Sequence, residues 1–97
     1  MSTSGVLTTG STSNIGTTAV QITTTSIVCP HGVLVKADDN NTGDVYVGPK
    51  GVTAGTTDAT DGIRLRAGDA VTMEIDNANT IYVIASVAGQ KVWWIAI

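Results

Sequence analysis

Cys29 and His31 stand two residues apart around Pro30, and they are the sole cysteine and sole histidine of the chain. A thiol and an imidazole at that spacing suggest either a nucleophile with its base or a pair of metal ligands. Zinc takes about four ligands, and no second Cys or His exists to supply them. Cysteine–histidine catalysis needs an orienting third group and a pocket. In an extended segment these two side chains share a face and have neither. The pair reads as a loop histidine and a half-buried thiol, and no catalytic, cofactor-binding or metal-binding residue is assigned.

Asp38, Asn40 and Thr42 followed by Gly43 partly match the opening of an EF-hand calcium loop. The glutamate that should close such a loop falls on Pro49, and no helix pattern flanks it. The segment reads instead as a turn. The glycines between Gly48 and Gly62 show no phosphate-loop spacing and precede no helix, so this stretch reads as a long flexible loop.

The scale of the chain agrees with this lack of reaction chemistry. A chain of 97 residues and 9.9 kDa forms one domain that buries roughly 60–65% of its unfolded surface, enough for one modest core. Five basic against eight acidic residues, net charge −3, argue against direct nucleic-acid binding, which needs clustered Lys and Arg. No apolar run approaches the roughly 20 residues of a membrane-spanning helix. The opening residues lack the basic and apolar regions of a secretory signal, so synthesis in a cytoplasm is expected. A single cysteine cannot make an internal disulfide, which leaves self-association as the expected source of added robustness.

The elements that must carry any function read as β throughout. The first charged side chain is Lys36, and residues 1–16, rich in Thr, Ser and Gly, read as an extended N-terminal arm ahead of a domain at 17–97. Residues 17–28 read as a lead-in strand. Val33, Val35 and Ala37 alternate with Leu34 and Lys36, and Val45 and Val47 with Asp44, Tyr46 and Gly48, giving two strands. The turn residues Asp38–Gly43 between them predict an antiparallel hairpin. A second hairpin is expected from Ile63–Arg66 and Val71–Asp76, with Arg64 and Arg66 facing Glu74 and Asp76 in cross-strand ion pairs. Strands at about 80–87 and 91–97 follow. No 3.6-residue apolar repeat occurs, so the expectation is an all-β chain. It is a compact antiparallel β-sandwich, jelly-roll or immunoglobulin-like, of about seven strands.

The C-terminal strands are apolar on both faces. Ile81, Val83, Ala85 and Val87 are backed by Tyr82 and Ile84, and Trp93, Ile95 and Ile97 by Val92, Trp94 and Ala96. Adjacent residues of a strand point to opposite sides, so Trp93 and Trp94 cannot both enter one core. Either the N-terminal arm covers the second face or a partner does. Apolar patches bearing Trp and Tyr mark association sites. The interface candidates are Val6, Leu7 and Ile15 on the arm and Tyr82, Ile84, Trp93 and Trp94 on the strands.

Gly32-Val33-Leu34-Val35-Lys36-Ala37, Asn41-Thr42-Gly43-Asp44-Val45-Tyr46-Val47-Gly48, Leu65-Arg66-Ala67-Gly68-Asp69-Ala70-Val71-Thr72, Ile81-Tyr82-Val83-Ile84-Ala85 and the Gly89-Gln90-Lys91-Val92 ending together resemble small virion proteins of tailed bacteriophages. The resemblance covers residues 20–97 and rests on the order and spacing of short motifs. It implies a compact β-sandwich on a capsid or tail, with no enzymatic activity. The corresponding expectation is a decoration or cement protein on the outer capsid surface of the virion. It would self-associate, as a homotrimer for example, and bridge subunits of the major capsid protein. The alternative is a tail, neck or head-fibre component that binds a host-surface glycan through the Gly48–Gly62 loop and Tyr46.

Overall fold

Val33, Val35 and Ala37 are buried while Lys36 between them is exposed, as the alternation requires. The same logic operates along the chain in a computed structural model, which describes residues 7–97. In chain order the strands are β1 (Thr8–Ile15), β2 (Val20–Gln21), β3 (Val33–Ala37), β4 (Val45–Gly48), β5 (Ile63–Leu65), β6 (Ala70–Met73), β7 (Tyr82–Ala85) and β8 (Gln90–Ala96). A single 3₁₀ turn, Ala78–Thr80, interrupts them. Its N-terminus is capped by Asn77, whose side chain accepts a hydrogen bond from the Asn79 amide at 3.1 Å.

Two four-stranded antiparallel sheets result. Sheet A has the order β1-β8-β3-β6 and sheet B the order β2-β7-β4-β5. Their inward residues form one cluster, including Ile15, Val35, Val47, Val83, Val92 and Trp94. Val33, Val35, Val45, Val83 and Val92 are wholly buried, and each such side chain contributes about 1.5–3 kcal/mol relative to exposure. The all-β expectation is met.

Strand pairing departs from both expected hairpins. β3 and β4 lie in different sheets, so Asp38–Gly43 carries the chain across the core rather than around a hairpin. β5 and β6 are likewise in opposite sheets, which separates Arg64 and Arg66 from Glu74 and Asp76. Arg64 instead approaches Asp44, Nε to Oδ2, at 3.9 Å. β7 and β8 are also divided, and among the described residues β4–β5 is the sole pair of consecutive strands that hydrogen-bond to one another. Alternation reports which face a residue occupies, and a strand does so equally in either sheet.

Two features lock the crossing from β3 to β4. Asn41 imitates a strand neighbour: its Nδ2 donates to the Lys91 carbonyl and its Oδ1 accepts from the Lys91 amide, both at 2.9 Å. Gln90 is the one buried polar side chain among the described residues. Its Oε1 accepts from the amides of Thr42 (2.9 Å) and Gly43 (3.0 Å), and its Nε2 donates to Thr42 Oγ1 and the Ala88 carbonyl, both at 3.1 Å. The start of β8 therefore holds the loop that a hairpin reading would have folded on itself.

The N-terminal third differs as well. Residues 8–15, expected within an arm, are extended but pair with β8 in the chain's own sheet, from Thr8↔Ala96 to Ile15↔Gln90. A bulge between Thr12 and Ile15, with Asn14 at φ +57°, turns Ile15 into the core. This strand raises the number in the described residues to eight, against about seven expected. The lead-in strand at 17–28 shrinks to Val20–Gln21 and an isolated bridge from Val28 to Asn77.

Candidate interaction surface

Strand β8 sorts its residues by period 2. Gln90, Val92, Trp94 and Ala96 face inward and are buried, while Lys91, Trp93 and Ile95 face outward. Trp94, 7% exposed, lies over Gly10 of β1, its cross-strand partner. A Cβ at Gly10 would stand 2.6 Å from Trp94 Cε2, so only glycine admits the ring there. Trp93, 45% exposed, takes the other side.

Register builds the outer face of sheet A around Trp93. Across β1, β8, β3 and β6, one row reads Thr9, Ile95, Leu34, Thr72 and the next Ser11, Trp93, Lys36, Ala70. Leu34 and Ile95 are half-buried. Together with Trp93 and the stem of Lys36 they line a shallow apolar depression of about 250 Å³. The indole is held in place: Nε1 donates to Asp38 Oδ1 at 2.9 Å, and Lys91 Nζ sits 3.9 Å from the ring centroid. That indole hydrogen bond, reinforced by the Asn40 amide, holds the Asp38 carboxyl below the usual carboxylate range. Lys36 in turn pairs with Asp39 at 3.6 Å. An apolar centre with a fixed aromatic ring and a charged rim is the anatomy of a protein-binding patch.

No family model, curated protein or solved structure matches the chain.

The outer face of sheet B is covered by the chain. Tyr46, Val52 and Ile84 form a second buried cluster, with Ala19, Ala54 and Tyr82 packed around it. The lid is the 49–62 loop, which the sequence reading treated as flexible but which is cross-braced. Thr53 N donates to Thr60 O at 2.9 Å, and Gly62 N to Thr53 O at 3.1 Å. Asp61 accepts from Thr53 Oγ1 (2.7 Å), the Thr57 amide (2.9 Å) and the Asp58 amide (2.8 Å). With Tyr46 beneath Val52, the surface considered for a glycan lacks that exposed ring.

The predicted interface residues thus separate. Ile15 and Trp94 belong to the main core and Ile84 to the second cluster, so none of the three faces solvent. Trp93 and Leu7, the latter 62% exposed, are accessible, and Tyr82 is partly so. Val6 lies outside the described residues. The sequence reading missed Leu34, Ile95 and the charges around Trp93, because only the register of β3 on β8 assembles them.

Cys29 and His31 are not brought together as a pair. Cys29 is buried and its Sγ donates to the Ile75 carbonyl at 3.2 Å, while His31 is exposed. Burial, with Asp76 adding to it, pushes the thiol pKa up, away from the reactive thiolate. Among the described residues, no group of three or more His, Cys, Asp or Glu converges, and no helix is long and apolar enough to cross a membrane.

Asp61 gives the loop a pH dependence. The Thr53 hydroxyl, then the Asp58 and Thr57 amides, hold its carboxyl below the ordinary value of 3.8. A depressed folded-state pKa contributes stability that is complete above the unfolded value and disappears as pH falls through the folded one. The protection of the Thr57 and Asp58 amides against hydrogen exchange, taken relative to the intrinsic rate at each pH, should therefore fall below about pH 4. Asp61→Asn should show the faster exchange already at pH 7; unchanged exchange in that variant would show that Asp61 does not brace the loop.

Proposed function

We propose that this chain is a non-enzymatic structural protein of a phage virion, a decoration or cement protein that binds the outer surface of the head and bridges major capsid subunits. The observation that carries the reading is the face of sheet A. Of the two outer sheet faces, B is closed by the 49–62 loop, whereas A presents Trp93, Leu34 and Ile95 to solvent. Binding there would work by burial rather than by reaction chemistry, adding contact area between shell subunits.

Strand order supports a jelly roll over an immunoglobulin-like connection. β1-β8-β3-β6 facing β2-β7-β4-β5, with the chain crossing between sheets at almost every step, matches an eight-stranded double-sheet roll, an architecture used in viral capsid and lectin domains. That is an analogy of fold and carries no function by itself. The phage assignment comes from the motif resemblance.

Trp93→Ala tests the reading. The side chain lies outside the core, so the variant should fold and self-associate like the parent. Its affinity for undecorated heads should drop about 30-fold or more, the effect of losing an aromatic hot spot of at least about 2 kcal/mol. Co-sedimentation of the chain with purified heads measures this. Undiminished binding would exclude the Trp93 face as the contact, and no binding by the parent chain would exclude the decoration role.

A further inference from the structure

A sheet edge exposes unpaired N–H and C=O groups, and proteins usually protect such edges by shortness, charge, proline or a bulge. Three of the four edges here are protected. β2 has two residues, β5 has three and carries Arg64, and β6 has four bounded by Asp69 and Glu74. β1 is the exception, with eight residues, no charge and no proline. Its bulge lies beyond Thr12 and leaves Thr8–Thr12 regular. Among the described residues, β8 is the sole strand that pairs with it.

Two observations indicate what fits this edge. The first is the sequence Thr8-Thr9-Gly10-Ser11-Thr12, which reads nearly the same in reverse. Laid antiparallel on a second copy about Gly10, it sets Thr8 opposite Thr12 on the inner face and Thr9 opposite Ser11 on the outer face. Hydroxyl meets hydroxyl in each pair, a favourable cross-strand match, and the absence of charge removes the like-charge repulsion that identical strands otherwise bring together. The second is Trp94. Its Nε1 is buried with no hydrogen-bond partner among the described residues, and its ring packs against the inner side of Gly10, at the centre of the same segment. An added strand brings inner-face threonine hydroxyls to the flanks of Gly10, the kind of acceptor this donor lacks.

The geometry points to a two-fold contact in which β1 pairs antiparallel with β1 of a second copy, centred on Gly10, joining two copies of sheet A into one eight-stranded sheet. The contact builds a dimer rather than the homotrimer given above as an example of self-association, and it leaves the Trp93 face open on both copies. It deepens the self-association within the proposed function and rests on that reading for its place on a virion, but not for its geometry.

The test is the mass of the parent chain at micromolar concentration by sedimentation equilibrium, beside Ser11→Lys, which puts a charge on the exposed side of the edge. The expected result is about 20 kDa for the parent, twice the 9.9 kDa chain, and loss of the dimer in a Ser11→Lys variant that keeps its β-sheet circular dichroism. Register is tested separately by mixing Thr9→Cys and Ser11→Cys chains, Cys29 remaining buried. The mixture should form an intermolecular disulfide faster than either variant alone. A monomeric or trimeric parent, a dimer that survives Ser11→Lys, or no preference for the mixed disulfide overturns the inference. Should Ser11→Lys fail to fold, the parent mass and the disulfide preference decide. Monomers that still coat heads would overturn this contact alone, whereas dimers that ignore heads would overturn the decoration role alone.

Discussion

Trp94→Ala should cost about 3–5 kcal/mol, the usual range for truncating a buried tryptophan. Domains of this kind hold about 5–15 kcal/mol in total, so the variant should sit at or near the edge of folding. The ring fills the inner face of sheet A and covers Gly10, which has no side chain with which to close the gap. Removing it therefore leaves a cavity beneath the edge strand as well as lost contact area. Each kcal/mol lowers the melting midpoint of a domain this size by about 4–8 °C, so thermal melts followed by circular dichroism would register the change plainly. Trp93→Ala, one residue away, should stay within about 1.5 kcal/mol of the parent, since its ring is 45% exposed and it loses surface packing, an exposed hydrogen bond and a cation–π contact rather than a core side chain. Equal destabilisation by the two substitutions would contradict the inward and outward division of β8.

Gln90→Met should be the next most damaging change, although it conserves volume and adds no charge. The side-chain amide of Gln90 satisfies the Thr42 and Gly43 amides and is itself satisfied by Thr42 Oγ1 and the Ala88 carbonyl. Methionine leaves the part-buried Thr42 and Gly43 amides without their acceptor, at about 1–3 kcal/mol for each group so stranded. A total of about 2–4 kcal/mol is expected, measurable as a lower urea midpoint with an unchanged slope. The same substitution should quicken hydrogen exchange at Thr42 and Gly43 specifically. A midpoint within about 0.5 kcal/mol of the parent would mean that the crossing from β3 to β4 is held by Asn41 alone.

How far the sequence could be read depended on whether the information was local. Alternation located β3, β4, β7 and β8, and the Trp93–Trp94 doublet required one inward and one outward ring. Which tryptophan goes inward was not legible, because that follows from Gly10, more than eighty residues earlier in the chain. Pairing partners were not legible for a similar reason. Asp38–Gly43 has the composition of a hairpin turn, but Gln90 and Asn41 commit it to a crossing through bonds spanning about fifty residues. The surplus apolar face of β7 was visible in Tyr82 and Ile84. Its cover was not, since Val52 and Ala54 are two small apolar side chains in a Thr- and Gly-rich loop that no periodicity marks. The Trp93 surface was half legible: the ring was named, but its neighbours Leu34 and Lys36 come from β3.

The pairing of β1 with β8 also orders events in time. Sheet A places β8 between β1 and β3, so during synthesis β1 cannot acquire its neighbour until Gln90–Ala96 has left the ribosome, whereas β3 can already pair with β6. Sheet B can begin sooner, because β4 and β5 already form a pair. A nascent chain must therefore carry β1 unpaired until β8 has been made. Contacts this distant in sequence slow folding, and an apolar strand left waiting would invite aggregation. The threonine, serine and glycine composition of β1, which gives it little to bury, suits it to that wait: it stays hydrated until β8 arrives and closes the sheet.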